Sequence, residues 1–145
     1  NKLFLVGGTS RVGPKKRSAT RILKEEPLIF RESGSATRNA MESFLASKSI
    51  QNSKRLELTS NEALKQALIA GLGYSIMPLI GLKNELKNED LEIIPMRGLP
   101  VITHWNLIWQ KSKNLSPTAL AFLEYLAGHK DEIIQEHFDW FEKYN

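Results

Sequence analysis

Apolar residues in this chain come in short blocks divided by polar, glycine-rich and hydroxyl-rich stretches. The spacing inside the blocks switches between a period of two and a helical period. Leu3-Phe4-Leu5-Val6 is an unbroken apolar run that stops at Gly7-Gly8, which predicts a buried strand. Residues 9–26 are polar and basic, with Gly13-Pro14 as a turn signal. Leu28-Ile29-Phe30-Arg31 predicts a second strand, leading straight into Glu32-Ser33-Gly34-Ser35. From Thr37 onward, Ala40, Met41, Phe44 and Leu45 share one helical face, and Arg55-Leu56-Glu57-Leu58 alternates as a third strand. Thr59-Ser60-Asn61-Glu62 carries a capping signature, with Thr59 and Glu62 three apart, and opens a helix on Leu64, Ala67 and Leu68. Gly71 and Gly73 suit a helix stop, and Tyr74-Ser75-Ile76-Met77 is a strand closed by Pro78. Leu79, Leu82 and Leu86 predict another helix, and Leu91-Glu92-Ile93-Ile94 a strand ended by Pro95. Strands and helices alternating at this rhythm predict an α/β domain with a parallel-rich sheet flanked by helices.

The pattern changes after Arg97-Gly98. Residues 102–110 form the longest strand candidate, with Trp105, Leu107 and Trp109 on one face and His104, Asn106 and Ile108 on the other. Ser116-Pro117 is a strong helix start, serine at the N-cap and proline at the first helical position. Ala119, Leu120, Leu123 and Leu126 make its apolar stripe, which Gly128 is expected to end. Residues 130–144 then predict a separate amphipathic helix on Ile134, Phe138 and Phe141.

Composition narrows the class. The chain has 145 residues, 41% of them hydrophobic and 25% charged, which is ordinary for a folded domain. No apolar run is long enough for a membrane span, and the apolar run at the start is too short for a signal peptide. There is no cysteine, which excludes disulfides, thiolate metal sites and a cysteine nucleophile and fits a reducing, cytoplasmic location. The net charge of +4 is unevenly spread. Arg11, Lys15, Lys16, Arg17, Arg21 and Lys24 fall in a window without an acid, while Asp131, Glu132, Glu136, Asp139 and Glu142 make the tail acidic. The basic window offers no interleaved aromatics for stacking bases, so a solvated face explains it better than a nucleic-acid patch.

Chemistry-bearing motifs are sparse. There is no Gly-x-Ser-x-Gly elbow, no His-Glu-x-x-His and no phosphate-binding Walker loop, so no catalytic residue is assigned. His104, His129 and His137 are scattered, so no metal site and no cofactor is expected. The turn Glu32-Ser33-Gly34-Ser35-Ala36-Thr37 is more informative. It joins a strand's carboxyl end to a helix start, where unpaired backbone N–H groups and the positive end of the helix dipole favour an anion. Simple capping by Ser33 or Ser35 accounts for the same residues without a ligand. A second hydroxyl-rich helix start at Thr59-Ser60 points toward the same crevice, which favours a small anionic ligand.

Four segments in order carry a resemblance. They are Leu28 to Arg38, Leu58-Thr59-Ser60-Asn61-Glu62-Ala63-Leu64-Lys65, Ala70-Gly71-Leu72-Gly73-Tyr74-Ser75-Ile76-Met77-Pro78, and His104-Trp105-Asn106-Leu107 followed by Leu115 to Leu123. Together they resemble the effector-binding domain of LysR-type transcriptional regulators, most nearly the branch that controls carbon-fixation genes. The resemblance covers about residues 1–127; the acidic, aromatic ending after Gly128 departs from it.

The resemblance implies a type 2 periplasmic-binding-protein-like fold of two α/β subdomains with the effector between them. Residues 1–8 would be a crossing strand, 9–97 the second subdomain, 98–128 the return to an incomplete first subdomain, and 129–145 a terminal amphipathic helix. It further implies a fragment of a regulator, with DNA bound only through a winged helix-turn-helix upstream of Asn1, and a homo-oligomer without membrane contact. The effector, a small anionic metabolite, would touch Gly7 and Gly8 at the crossing strand, Ser33, Gly34, Ser35 and Thr37 at one helix start, and Thr59 and Ser60 at the other. Arg31 or Arg38 would complement its charge. A transporter's solute-binding protein and a transferase on the same fold are the competing expectations. The transferase would need an acid or base in the crevice, where Glu32 and Glu62 are the carboxylates available.

Overall fold

In the computed structural model, which describes residues 1–10, 18–112 and 114–144, the chain forms two compact units, Asn1–His104 and Trp105–Asn145. The first opens with β1 (Lys2–Gly8), α1 (Ala19–Glu25), β2 (Leu28–Arg31) and α2 (Ala36–Ser47). It continues with β3 (Arg55–Leu58), α3 (Asn61–Ile69), β4 (Tyr74–Pro78), a 3-10 turn at Leu79–Gly81, α4 (Lys83–Lys87), β5 (Leu91–Ile93) and β6 (Val101–Ile102). The second unit holds α5 (Pro117–Phe138) and a closing 3-10 segment, Asp139–Tyr144.

The strands form one sheet in the order β3-β2-β4-β1-β5, with β6 also on β1. β2 runs parallel to β3 (Leu28↔Arg55 through Arg31↔Leu58) and to β4. β1 runs antiparallel to β4, from Leu3↔Pro78 to Gly7↔Tyr74, and antiparallel to β5 and β6 on its other side. Five strands therefore share one direction and β1 opposes them. Its apolar run is buried from Leu3 to Gly8, as a strand covered on both faces requires.

Alternation along the strands supplies two cores. Leu3, Leu5, Leu28, Phe30, Tyr74 and Ile76 pack with Ile22 and Leu23 of α1 and Met41, Phe44 and Leu45 of α2. The intervening Phe4, Val6, Ile29 and Met77 are buried too and serve the opposite face, where α3 buries Leu64 and Leu68.

Four expectations need correction. The basic stretch before Leu28 contains α1: Ser18 caps it by accepting from the Arg21 N–H, and Ile22 and Leu23 are buried. Residues 11–17, with the Gly13-Pro14 turn and most of the basic window, lie outside the described residues. The helix on Leu79, Leu82 and Leu86 is divided into a 3-10 turn and the short α4. The long strand at 102–110 reduces to Val101–Ile102, paired with Leu3 and Lys2 of β1, and Thr103 exchanges backbone hydrogen bonds with Asn1 just past it. Beyond it Trp105 is 75% and Ile108 89% exposed, so the alternating pattern there builds no sheet. Gly128 ends nothing: α5 runs through it to Phe138, since an interior glycine costs a helix only about 1 kcal/mol and the flanking residues are good formers.

Candidate functional site

The ends of β2 and β3 lie side by side, Arg31 opposite Leu58, and the chain leaves them in opposite senses. From β2 it passes through α2 to β3 on one side, and from β3 through α3 back across to β4. Right-handed crossovers on such an order send the two helices to opposite faces, which opens a crevice between their starts. Both predicted hydroxyl-rich helix starts are brought to this edge.

At the first, the Ser35 N–H donates to the Glu32 carbonyl at 3.2 Å and closes a tight turn. Gly34 sits at its apex with φ +88°, a conformation that an L side chain rarely adopts, and a Cβ there would meet nothing within 4 Å. Glycine is therefore needed for its backbone freedom rather than for space. Ser35 is the N-cap of α2, but its hydroxyl makes no capping hydrogen bond. Among the described residues, no protein acceptor takes the amides of Ala36 and Thr37, and no acidic side chain occupies the first turn. The α2 start thus presents free N–H donors, an uncommitted serine hydroxyl and the positive dipole end, with Ser33 exposed and Thr37 half-buried beside them.

The second start is closed by its own residues. Ser60, not Thr59, is the N-cap of α3: its Oγ accepts from the Ala63 N–H at 3.0 Å. Glu62 does not complete a capping box; it pairs with Lys65 at 2.8 Å and accepts from Gln66 at 3.1 Å. The Lys65 ammonium and the Gln66 amide hold the Glu62 carboxyl below its ordinary range.

Gly7 and Gly8 stand elsewhere, and this corrects the expectation that they join the crevice. Because β1 is antiparallel, Gly7 pairs with Tyr74 at the beginning of β4, about 13 Å of strand from the end where the helices start. Their lack of a side chain serves packing. A Cβ on Gly7 would come within 2.6 Å of the Tyr74 ring, and one on Gly8 within 2.3 Å of the Leu68 carbonyl.

The two arginines at the crevice are already engaged. Arg31 grips Glu32 with a fork, Nε to Oε2 and Nη2 to Oε1, both at 2.8 Å. Its remaining Nη1 donates to Asn61 Oδ1, and Nη2 also approaches the Thr59 carbonyl at 3.5 Å. The guanidinium holds the Glu32 carboxyl below the usual carboxylate range. Arg38 donates to Glu42 at 3.0 Å, to Glu57 at 2.5 Å and to the Arg31 carbonyl at 3.3 Å. Those carboxylates, Glu57 first, raise the Arg38 pKa further. The sequence does not single out Asn61 and Glu57 for this part; it depends on which strand ends are neighbours, which no local pattern announces. Among the described residues no cluster of three or more His, Asp or Glu side chains could hold a metal.

The two carboxylates that a transferase would use are both engaged, Glu32 by Arg31 and Glu62 by Lys65, whereas the donors at the α2 start have no acceptor among the described residues. The family model described as the LysR substrate binding domain matches residues 12–131. The HTH-type transcriptional activator CmpR of Synechocystis sp. is 44% identical over 122 residues, 84% of this chain and 40% of that protein. The RuBisCO operon transcriptional regulator of Acidithiobacillus ferrooxidans is 38% identical over 104 residues, 72% of this chain and 34% of the relative. This chain therefore spans about two fifths or less of the length of these relatives. Among solved structures, the CcmR regulatory domain of Synechocystis PCC6803 in complex with 2-PG superimposes with a TM-score of 0.73 at 33% identity. That match covers 87% of this chain and 61% of the CcmR chain. Both the sheet with its opposed strand and these relatives lead to one assignment: the chain belongs to the LysR substrate-binding domain family, with a periplasmic-binding-protein-like fold and relatives on the carbon-fixation branch.

Proposed function

We propose that this chain is the effector-responsive part of a LysR-type transcriptional regulator and binds a small anionic metabolite at the start of α2. The observation that carries the reading is the uncommitted donor set there: the Ala36 and Thr37 amides and the Ser35 hydroxyl, at the reversal of strand order. Ser33, Gly34, Thr59 and Ser60 line the same edge, whereas Gly7 and Gly8 do not. The CcmR domain, 33% identical, is bound to 2-PG, which makes that anion the first probe.

On this reading residues 98–128 return toward the first subdomain, and the effector acts by population shift. It bridges two subdomains, and the change in their angle re-spaces DNA readers carried elsewhere in the regulator. The protein works in the cytoplasm as a homo-oligomer and touches DNA only through an N-terminal winged helix-turn-helix. No helix among the described residues is long and apolar enough to cross a membrane. Binding without catalysis is favoured over a transferase because Glu32 is gripped by the Arg31 fork and Glu62 is held by Lys65 and Gln66, so neither carboxylate faces the crevice without a partner of its own.

The test is a two-dimensional NMR titration of the labelled chain with 2-PG, which detects millimolar binding. Saturable shifts at Ser35, Ala36 and Thr37 are expected. Ser35→Ala should weaken the apparent affinity about tenfold, the loss of one hydrogen bond to a charged group, and Thr59→Ala should weaken it less. Equal affinity in wild type and both variants, or no shift at this edge, overturns the assignment of the site.

A further inference from the structure

Arg31 looks at first like the counter-charge of a bound anion, since it ends β2 at the mouth of the crevice. Its hydrogen bonds say otherwise. Its side chain is only 15% exposed, and the carboxylate of Glu32 takes two of its donors in a fork. What is left over reaches across to the next strand end: Nη1 to the side chain of Asn61, the first residue of α3, and Nη2 to the carbonyl of Thr59. Arg38 fastens the same point from behind by donating to the Arg31 carbonyl while paired with Glu57 on β3. The charges of Arg31, Arg38, Glu32 and Glu57, with Glu42 also on Arg38, are thus satisfied within the protein, and the geometry joins the turn before α2 to the turn before α3.

We propose that Arg31 is a positioning residue that fixes the α3 start against the α2 start, so that both face one ligand, and that it does not itself pair with the anion. This rests on the reading of the crevice as the effector site. A planar fork with five donors can hold a carboxylate and still reach an amide oxygen and a carbonyl. A lysine in its place keeps the charge but offers three donors on one atom and cannot span the three partners at once.

The two roles separate in one experiment. The labelled chain and its Arg31→Lys, Arg31→Gln and Asn61→Ala variants are titrated with 2-PG, following amides at Ser35–Thr37 and Ser60–Glu62 by NMR. Wild type should show both groups moving along one isotherm. Arg31→Lys should behave like Arg31→Gln, with affinity lowered about tenfold and the Ser60–Glu62 response uncoupled from the other. Asn61→Ala should lose part of the same effect, and the double variant Arg31→Gln with Asn61→Ala should be no worse than Arg31→Gln alone, because the two residues act through one contact. Wild-type affinity in Arg31→Lys with Arg31→Gln impaired makes Arg31 a counter-charge and overturns the proposal. So does additive loss in the double variant. A wild type that shows no shift at either helix start instead overturns the reading of the site, a different result.

Discussion

Asn52 is one of two polar residues buried among the described residues, and its partners explain how a polar amide is tolerated there. Its Nδ2 donates to the Leu23 and Glu26 carbonyls, both at 2.8 Å, and its Oδ1 accepts from the Lys54 N–H at 2.7 Å. The side chain thereby ties the end of α1 to the approach to β3, two segments about thirty residues apart. Asn52→Ala should cost about 2–3 kcal/mol, because three backbone groups lose a partner in a place water does not reach easily. Asn52→Asp should cost at least as much, since a carboxylate cannot donate to either carbonyl. Urea unfolding checks both, as a lowered midpoint with an unchanged slope; a loss below about 0.5 kcal/mol would show that the amide carries little. Nothing local in the sequence sets Asn52 apart from exposed asparagines such as Asn84 and Asn88, because its meaning lies in distant carbonyls. Ser35 is the opposite case: its place between a strand end and a helix start is readable directly, and only the absence of a capping bond needs the structure.

Among elements, α3 shows most clearly what local chemistry can and cannot announce. Its end is legible. Gly71 adopts φ +72°, and the Gly71 and Leu72 amides return to the carbonyls of Leu68 and Ala67, a Schellman closure that glycine there invites. Its start lies one residue beyond the capping signature, because Thr59 and Ser60 are chemically alike and only Ser60 is placed to reach Ala63. The long-range tie is invisible in the sequence: Lys65, 15% exposed, binds Glu85 of α4 at 2.6 Å as well as Glu62. Burial pulls the Lys65 pKa down, but the two carboxylates outweigh it and leave it raised. A raised lysine contributes stability below its unfolded value of about 10.4, lost as pH climbs through the folded value. The lowered Glu62 contributes above about 4.3, lost as pH falls through its folded value. Lys65→Met should therefore destabilise across the neutral range by about 1–2 kcal/mol. The gap to wild type should shrink at both extremes, as Glu62 takes up a proton or Lys65 gives one up. Thermal unfolding from about pH 3 to 11 measures it, and a gap constant with pH would remove the ion pairs from the explanation. The failed strand at 102–110 belongs to this scale too: its alternation is real, but a strand needs a neighbouring edge, and pattern alone does not supply one.

At the scale of the whole molecule, burial among the described residues is confined to the first unit. Among the described residues every buried hydrophobic lies between Leu3 and Ile94, whereas α5 buries none of its residues and leaves Leu120, Phe122, Tyr125 and Ile134 exposed. A 22-residue helix without a buried face draws little stability from packing, and most helical stability in proteins comes from that source. The α/β unit, by contrast, has helices on both sides of its sheet and builds its core from its own residues. Residues 103–112, between the last strand and α5, carry no regular structure, and their side chains are mostly exposed. Local opening there exposes backbone to a protease without breaking a core contact. Brief chymotrypsin treatment should therefore cut first at the exposed Trp105 or Trp109, and leave a resistant product holding residues 1–104. Mass spectrometry identifies the cut. The product should keep the cooperative unfolding of the intact chain, with a midpoint within about 3 °C, since it retains the whole core. Early cleavage inside β2, β3 or β4, or a non-cooperative product, would mean that the sheet depends on the second unit after all.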